Sequence, residues 1–315
     1  MFKKIVFATD GSPVCEAAAK IAFELSEKYN SELILIYVYE DDSKESCLFV
    51  PDSLTIKRLR FRPDYIAAVL EGMKNTYGAV VKKNKDSKYE YHDNKKPDPD
   101  NIEYKVLEGE PAQAILDFAL KIEADCIIMG AHGRVDDPDG KGFIKTAGKT
   151  LKKVIKEACC PVLSIARPCE TCFWYFSRIV FGTNFSEASM AAFEFAYQLA
   201  DYIGCKLHIF HALNLDSSGT QNVLGQKQIE DQIQEAKNRI DQEYVSQMHN
   251  FDNYDIAVWE GSPYIELLKF SREARSDLIV MGHNNMYSDP DEVSFGPTIE
   301  QVVLRSACPV ISVNR

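Results

Sequence analysis

Two kinds of apolar pattern alternate along the chain. Near-continuous apolar runs, such as Leu33 to Val38 and Cys126 to Met129, predict strands buried on both faces. Between such runs, apolar residues recur at helical spacing: Ala18, Ile21, Ala22 and Leu25 form the i, i+3, i+4, i+7 stripe of a helix packed on a sheet. Ile102-Glu103-Tyr104-Lys105-Val106 alternates instead, which predicts an edge strand. Ser12 before Pro13 reads as an N-cap and a first-turn proline, and Pro111 opens a helix carrying Ile115, Ala119 and Ile122. A further helix turns Leu151, Val154 and Ile155 inward and Lys152, Lys153 and Lys156 outward, as a solvated face.

The pattern then repeats. Lys4-Ile5-Val6-Phe7-Ala8-Thr9-Asp10 returns as Arg178-Ile179-Val180-Phe181-Gly182-Thr183-Asn184, and Ser12 matches Ser186, at offset 186 − 12 = 174. The helical stripe returns as Ala192, Phe195, Ala196 and Leu199. Glu108-Gly109-Glu110-Pro111 and Ile127-Ile128-Met129-Gly130 match Glu260-Gly261-Ser262-Pro263 and Ile279-Val280-Met281-Gly282 at offset 152, so the second copy has lost 174 − 152 = 22 residues between. Gly148 and Cys160-Pro161-Val162 match Gly296 and Cys308-Pro309-Val310 at offset 148. Strands alternating with helices in each copy predict two tandem doubly wound α/β domains, each a mostly parallel sheet covered on both faces, at residues 1–167 and 173–315 and joined by Pro168 to Cys172.

The first copy carries an insertion from Asp41 to Asp100. Ile66, Val69, Leu70, Met73 and Tyr77 predict a helix within it. The polar stretch from Lys82 to Asp100 has too few apolar groups to offset chain ordering and is expected to be a mobile loop.

Composition removes several classes of function. The 315 residues carry a net charge of −11, and the lysines are spread over helix faces and loops, so nucleic-acid binding is not expected. Met1 to Asp10 does not read as a signal peptide, and no run approaches the roughly 20 apolar residues of a membrane span. A cytoplasmic protein is expected, its nine cysteines reduced and used largely as small core residues.

Three sets of residues resemble the universal stress protein family across essentially the whole chain: Ala8-Thr9-Asp10-Gly11-Ser12 after the first strand, Met129-Gly130-Ala131-His132-Gly133-Arg134 after the fourth, and Gly148 ahead of Cys160-Pro161-Val162. The resemblance implies a five-stranded parallel sheet in the order 3-2-1-4-5, with a ligand at the carboxyl ends of strands one and four. It also implies adenine-nucleotide binding, ATP with or without magnesium, and a stress-responsive regulator. Asp10 would face the ribose or a metal, Val38 would offer its backbone to adenine, and Gly130, Gly133 and Gly148 would cradle phosphates.

The chain departs from the family's spacing. Fourteen residues separate Gly133 from Gly148 (148 − 133 − 1), where nine are usual, and Lys149 stands where Ser or Thr is usual. Lys149 either supplies a charge in place of the hydroxyl or points outward. The second copy departs further, with Asn184 for the aspartate, Asn285 for the second glycine and Pro297 at the position of Lys149, so it reads as a degenerate copy. Slow ATP hydrolysis and a nucleotide-free interaction scaffold are the alternative functions. The two copies are expected to pair through their apolar last strands, like a covalently linked homodimer, alongside an unidentified protein partner.

Other signals are weaker. Gly142 to Thr150 resembles a P-loop but has five residues where four are required, and it begins twelve residues after the fourth strand. Cys169-Glu170-Thr171-Cys172 supplies two thiols where a closed zinc site needs four ligands. His132 has no nucleophile or acid beside it in the sequence, and Glu40-Asp41-Asp42 reads as a solvated turn.

Overall fold

A computed structural model of the protein describes residues 2–40, 47–50, 53–58, 66–67, 69–75, 77, 102–131, 147–167, 176–214, 225–283 and 296–314. The chain divides into two compact units, Met1–Pro168 and Cys169–Arg315.

The first unit runs β1 (Lys4–Ala8), α1 (Pro13–Tyr29), β2 (Glu32–Tyr39), β3 (Cys47–Val50), β4 (Ser53–Arg58), β5 (Ile102–Glu108), α2 (Pro111–Lys121), β6 (Cys126–Gly130), α3 (Lys149–Glu157) and β7 (Val162–Ile165). Its parallel strands lie in the order β5-β2-β1-β6-β7, which is 3-2-1-4-5 once β3 and β4 are set aside. The second unit runs β8 (Arg178–Thr183), α4 (Glu187–Ile203), β9 (Lys206–Leu213), α5 (Gln226–Glu243), β10 (Tyr254–Glu260), α6 (Pro263–Glu273), β11 (Leu278–His283), α7 (Pro297–Arg305) and β12 (Val310–Asn314). Its strands repeat the order as β10-β9-β8-β11-β12. Both sheets are thus the predicted doubly wound type, and β5 is the edge strand its alternation predicts.

Why the central strands are apolar throughout follows from burial on both faces. Ile5, Val6 and Phe7 of β1 and Ile179, Val180 and Phe181 of β8 have no exposed surface. From α1, Ala18, Ile21, Ala22 and Leu25 all pack into the core. On α4 the predicted stripe needs one correction: Phe195 is only half-buried, and the core aromatic is Phe193, at the position of Ala19 (193 − 174). Its ring packs 5.7 Å from Phe181 and 4.9 Å from Tyr244, supplying volume that an alanine leaves to neighbours in the first unit.

Residues of the insertion also differ from expectation. Residues 66–67, 69–75 and 77 are helical as their spacing predicts, but β3 and β4 form an antiparallel pair, with Cys47 opposite Arg58, that helical periodicity cannot reveal. The Pro51-Asp52 dipeptide between two strand-like runs was the available turn signal. The Lys82 to Asp100 stretch lies outside the described residues.

The duplication reaches details of backbone that side chains do not announce. Asn30 and Gly204 end α1 and α4 in the left-handed conformation, at φ 51° and 74°. Glu123 and Arg275 share φ 55° and 52°, and Gly109 and Gly261 share φ 134°. Gly11, at φ 73°, is matched by Phe185 at φ 60° (185 − 11 = 174).

Side-chain devices recur as well. Asp125 Oδ2 accepts the Lys3 and Lys4 amides at 2.7 and 2.8 Å. Asp277 Oδ2 accepts the Ser177 and Arg178 amides at 2.7 and 3.0 Å. Each carboxylate therefore fixes the start of its unit's central strand. At the other end, Thr9 Oγ1 bonds to the Tyr77 hydroxyl, and Thr183 Oγ1 to the Tyr244 hydroxyl at 2.6 Å. The tyrosines stand 244 − 77 = 167 apart, so of the 22 residues lost by the second copy, 174 − 167 = 7 precede this tyrosine and 167 − 152 = 15 follow it.

Candidate functional site

The winding of the first sheet reverses between β1 and β6, and the residues after these strands line the crevice where open α/β sheets take ligands. Asp10 follows β1. Its Oδ1 accepts the Ser12 amide at 2.9 Å and the Cys15 thiol at 3.1 Å, and among the described residues Oδ2 has no protein partner. Gly11 takes the left-handed conformation that lets the chain turn from strand to helix here, and its amide donates to Thr9 Oγ1 at 3.1 Å. Ser12 is the N-cap of α1 by position but makes no side-chain cap hydrogen bond; its counterpart Ser186 accepts the Ser189 amide at 3.2 Å. Burial, then the Asp10 charge, push the Cys15 thiol up to about 11, so it stays protonated and donates to the carboxylate.

The position of Val38 follows from strand register. β1 pairs with β2 only as far as Ala8 opposite Ile36, and the Thr9 amide closes the ladder on the Ile36 carbonyl at 3.0 Å. Main-chain groups of alternate residues point to the same side of a strand. The Val38 N–H and C=O therefore point the way Ile36 does, over the end of β1, where among the described residues no strand remains to receive them. The Tyr39 carbonyl points the other way and accepts the Gly109 amide at 3.0 Å. A donor and an acceptor thus project side by side above Asp10's end of the sheet.

On the β6 side, Gly130 ends the strand opposite Ile165, and the Ala131 amide donates to the Ile165 carbonyl at 2.8 Å. The Gly148 amide donates to the Ala131 carbonyl at 3.2 Å, which ties the start of α3 to the end of β6. Gly148 is the N-cap of α3 at φ −57°, a conformation open to any residue, and Lys149 follows as an exposed first residue of the helix. No acidic residue stands in the first turn of α3. Asp10, Val38, Gly130, Gly148 and Lys149 are therefore all placed at one end of the sheet, while Gly133, His132, Cys169 and Cys172 lie outside the described residues. Among the described residues no group of three or more His, Cys, Asp or Glu could hold a metal ion.

The basic face of α3 is not simply solvated. Lys153 pairs with Glu110 at 3.0 Å, and Glu110 also caps α2 by accepting the Ala112 and Gln113 amides. Partial burial alone would raise the Glu110 carboxyl; the Gln113 amide, Lys153 and the Ala112 amide outweigh it and hold the group below its usual range.

The same end of the second sheet is built differently. Asn184 Oδ1 accepts the Ser186 amide at 3.1 Å and the Ser189 hydroxyl at 2.7 Å, where Asp10 receives an amide and a thiol. The ring of Phe185 lies 4.6 Å from the His211 ring and stacks on Tyr244 at 6.1 Å, with the Arg239 guanidinium 4.2 Å over its face. α7 begins Gly296-Pro297 and carries Glu300 in its first turn. Gly282 is held by packing: a Cβ there would stand 2.2 Å from the Ala188 carbonyl oxygen and 2.6 Å from the Ser189 amide nitrogen.

Fold and site together define a tandem doubly wound α/β protein in which each sheet reverses its winding beside the central strand. The universal stress protein family model matches residues 1–165 and again residues 176–314, and the chain belongs to that family. A universal stress protein of Methanocaldococcus jannaschii is 32% identical over 169 residues, covering 53% of this chain and 84% of the relative. One from Thermus aquaticus is 28% identical over 172 residues, covering 52% and 99%. The crystal structure of a universal stress protein from Archaeoglobus fulgidus shares the fold along 99% of this chain and 96% of its own, with a TM-score of 0.62 at 17% identity. Among the described residues no helix is long and apolar enough to cross a membrane.

Proposed function

We propose that the first unit binds an adenine nucleotide, ATP with magnesium in the first instance, and that the protein acts as a stress-responsive regulator through that occupancy. The observation that carries this reading is the Val38 main chain. An N–H and a C=O pointing over the end of β1 match the donor and acceptor on the Watson–Crick edge of adenine, and adjoining strands leave them to a ligand. Asp10 stands beside them with one oxygen fixed and the other without a protein partner among the described residues, suited to a ribose hydroxyl or a hydrated cation. The phosphates would lie toward the start of α3, where Gly148 and the Lys149 charge meet the positive end of the helix dipole. Gly130 and Gly133 would keep that approach free of side chains.

Titration calorimetry of the full chain with ATP and magnesium tests the reading. A stoichiometry near one is expected, with Asp10→Ala weakening binding about tenfold, or about 1.4 kcal/mol. Val38→Pro should abolish it, because it deletes the donor without removing a ladder bond to β5. Absence of binding by the unaltered chain would refute the proposal and leave a nucleotide-free scaffold. Continuous phosphate release in the same mixture would identify a hydrolase.

A further inference from the structure

The second unit keeps the backbone of the first at the end of its central strand but changes what stands there. At the position of Gly11 it has Phe185, still in the left-handed conformation at φ 60°. That conformation is uncommon for any residue with a side chain and an outlier for a bulky one, so the surroundings must hold it. They do so through the Phe185 amide, which donates to Thr183 Oγ1 at 2.9 Å as the Gly11 amide does to Thr9, and through the ring, which packs against His211 and Tyr244 with the Arg239 guanidinium over its face. Arg239 is itself steadied by Glu243 at 2.5 Å, and His211 Nδ1 meets the Thr183 carbonyl at 2.9 Å.

These partners mark where the ring lies. His211 is the residue before Ala212, the counterpart of Val38 (212 − 38 = 174). The Leu213 carbonyl accepts the Gly261 amide at 2.9 Å, so the Ala212 main chain points to the opposite side, toward Thr183, the last residue of β8, which still pairs with His211. We propose that the Phe185 ring occupies the base position of the second unit's crevice, as a built-in substitute for a nucleobase that keeps this copy closed to nucleotide. The proposal rests on the reading of the equivalent place in the first unit as an adenine site. An aromatic ring flanked by an imidazole and covered by a guanidinium has the stacking surroundings a purine would find. Burial, chiefly, lowers His211 and keeps the imidazole neutral against the ring.

Adenosine is the probe, because the second unit has Pro297 and Glu300 where a phosphate would approach α7. Phe185→Gly restores the residue of the first copy, and Phe185→Asn removes the ring while tolerating the same backbone. Both are made in the full chain carrying Asp10→Ala, so that the first site is weakened, and again without that change. The expected result is at least tenfold tighter adenosine binding in the Asp10→Ala background on removing the ring, and a rise from near one to near two adenosines per chain otherwise. If the unaltered chain binds no nucleotide but ring removal still creates an adenosine site, the first-unit reading fails and this one stands. Variants that fold, by circular dichroism, and gain no adenosine binding overturn it. Loss of folding in both variants also overturns it, since the ring would then be a core group.

Discussion

A glycine at the end of a fourth strand can be kept for a phosphate or for a helix, and Gly282 is kept for a helix. The backbone of α4 passes so close that a methyl group would collide with the Ala188 carbonyl and the Ser189 amide, neither of which can rotate away. Gly282→Ala is therefore expected to destabilise the second unit by about 3 kcal/mol or more, read by chemical denaturation, although no ligand is involved. A neutral outcome would mean that α4 shifts freely on the sheet. Glu24, half-buried on α1, makes a different residue-scale prediction. Burial, then the neighbouring Glu27 charge, push its carboxyl up to about 9 against the opposing effect of Lys20. The folded chain therefore holds a proton that the unfolded chain releases above about 4.5, and stability falls as pH rises from there toward 9. Glu24→Gln should have little effect at pH 4 and stabilise by about 1–3 kcal/mol at pH 8, discounted for residual exposure. Melting curves across that range that run parallel for both proteins would contradict it.

At the scale of elements, the two carboxylates that fix the central strands are interchangeable parts. Asp277 takes both the amide and the hydroxyl of Ser177 as well as the Arg178 amide, all on one oxygen. Asp277→Ala is expected to cost about 1–2 kcal/mol, because the freed donors are exposed and water receives them. Hydrogen exchange should quicken at Ser177 and Arg178 and stay unchanged in the middle of β8; unchanged exchange at all three places would count against the latch. Periodicity made the strands and the main helices legible, since burial on two faces leaves only apolar residues at Ile5 to Phe7 and at Ile179 to Phe181, while the order of the strands came from the family resemblance. It could not show β3 and β4, which are short and antiparallel, nor the exchange of Phe195 for Phe193 in the core, which depends on volumes across the sheet. Asp10 was legible from the motif after the first strand, and Val38 only through the family resemblance. The role of Gly282 and the ring of Phe185 were not, because both depend on atoms remote in sequence approaching within a few ångströms.

On the scale of the whole chain, duplication preserved geometry more faithfully than chemistry. Left-handed residues, strand order and the aspartate latches persist in both copies, while the carboxylate, the helix-opening lysine and the small residue after the central strand changed in one. The latches also set a timetable. β1 leaves the ribosome well before the groups that close it: Asp125, which closes on Lys3, and β6, which pairs along its free side, are made some 122 residues later. At roughly 5–20 residues per second, the middle strand of the first sheet waits roughly 6–25 s with one edge bare. In the second unit the corresponding wait spans 100 residues, so its central strand is closed sooner after it is made.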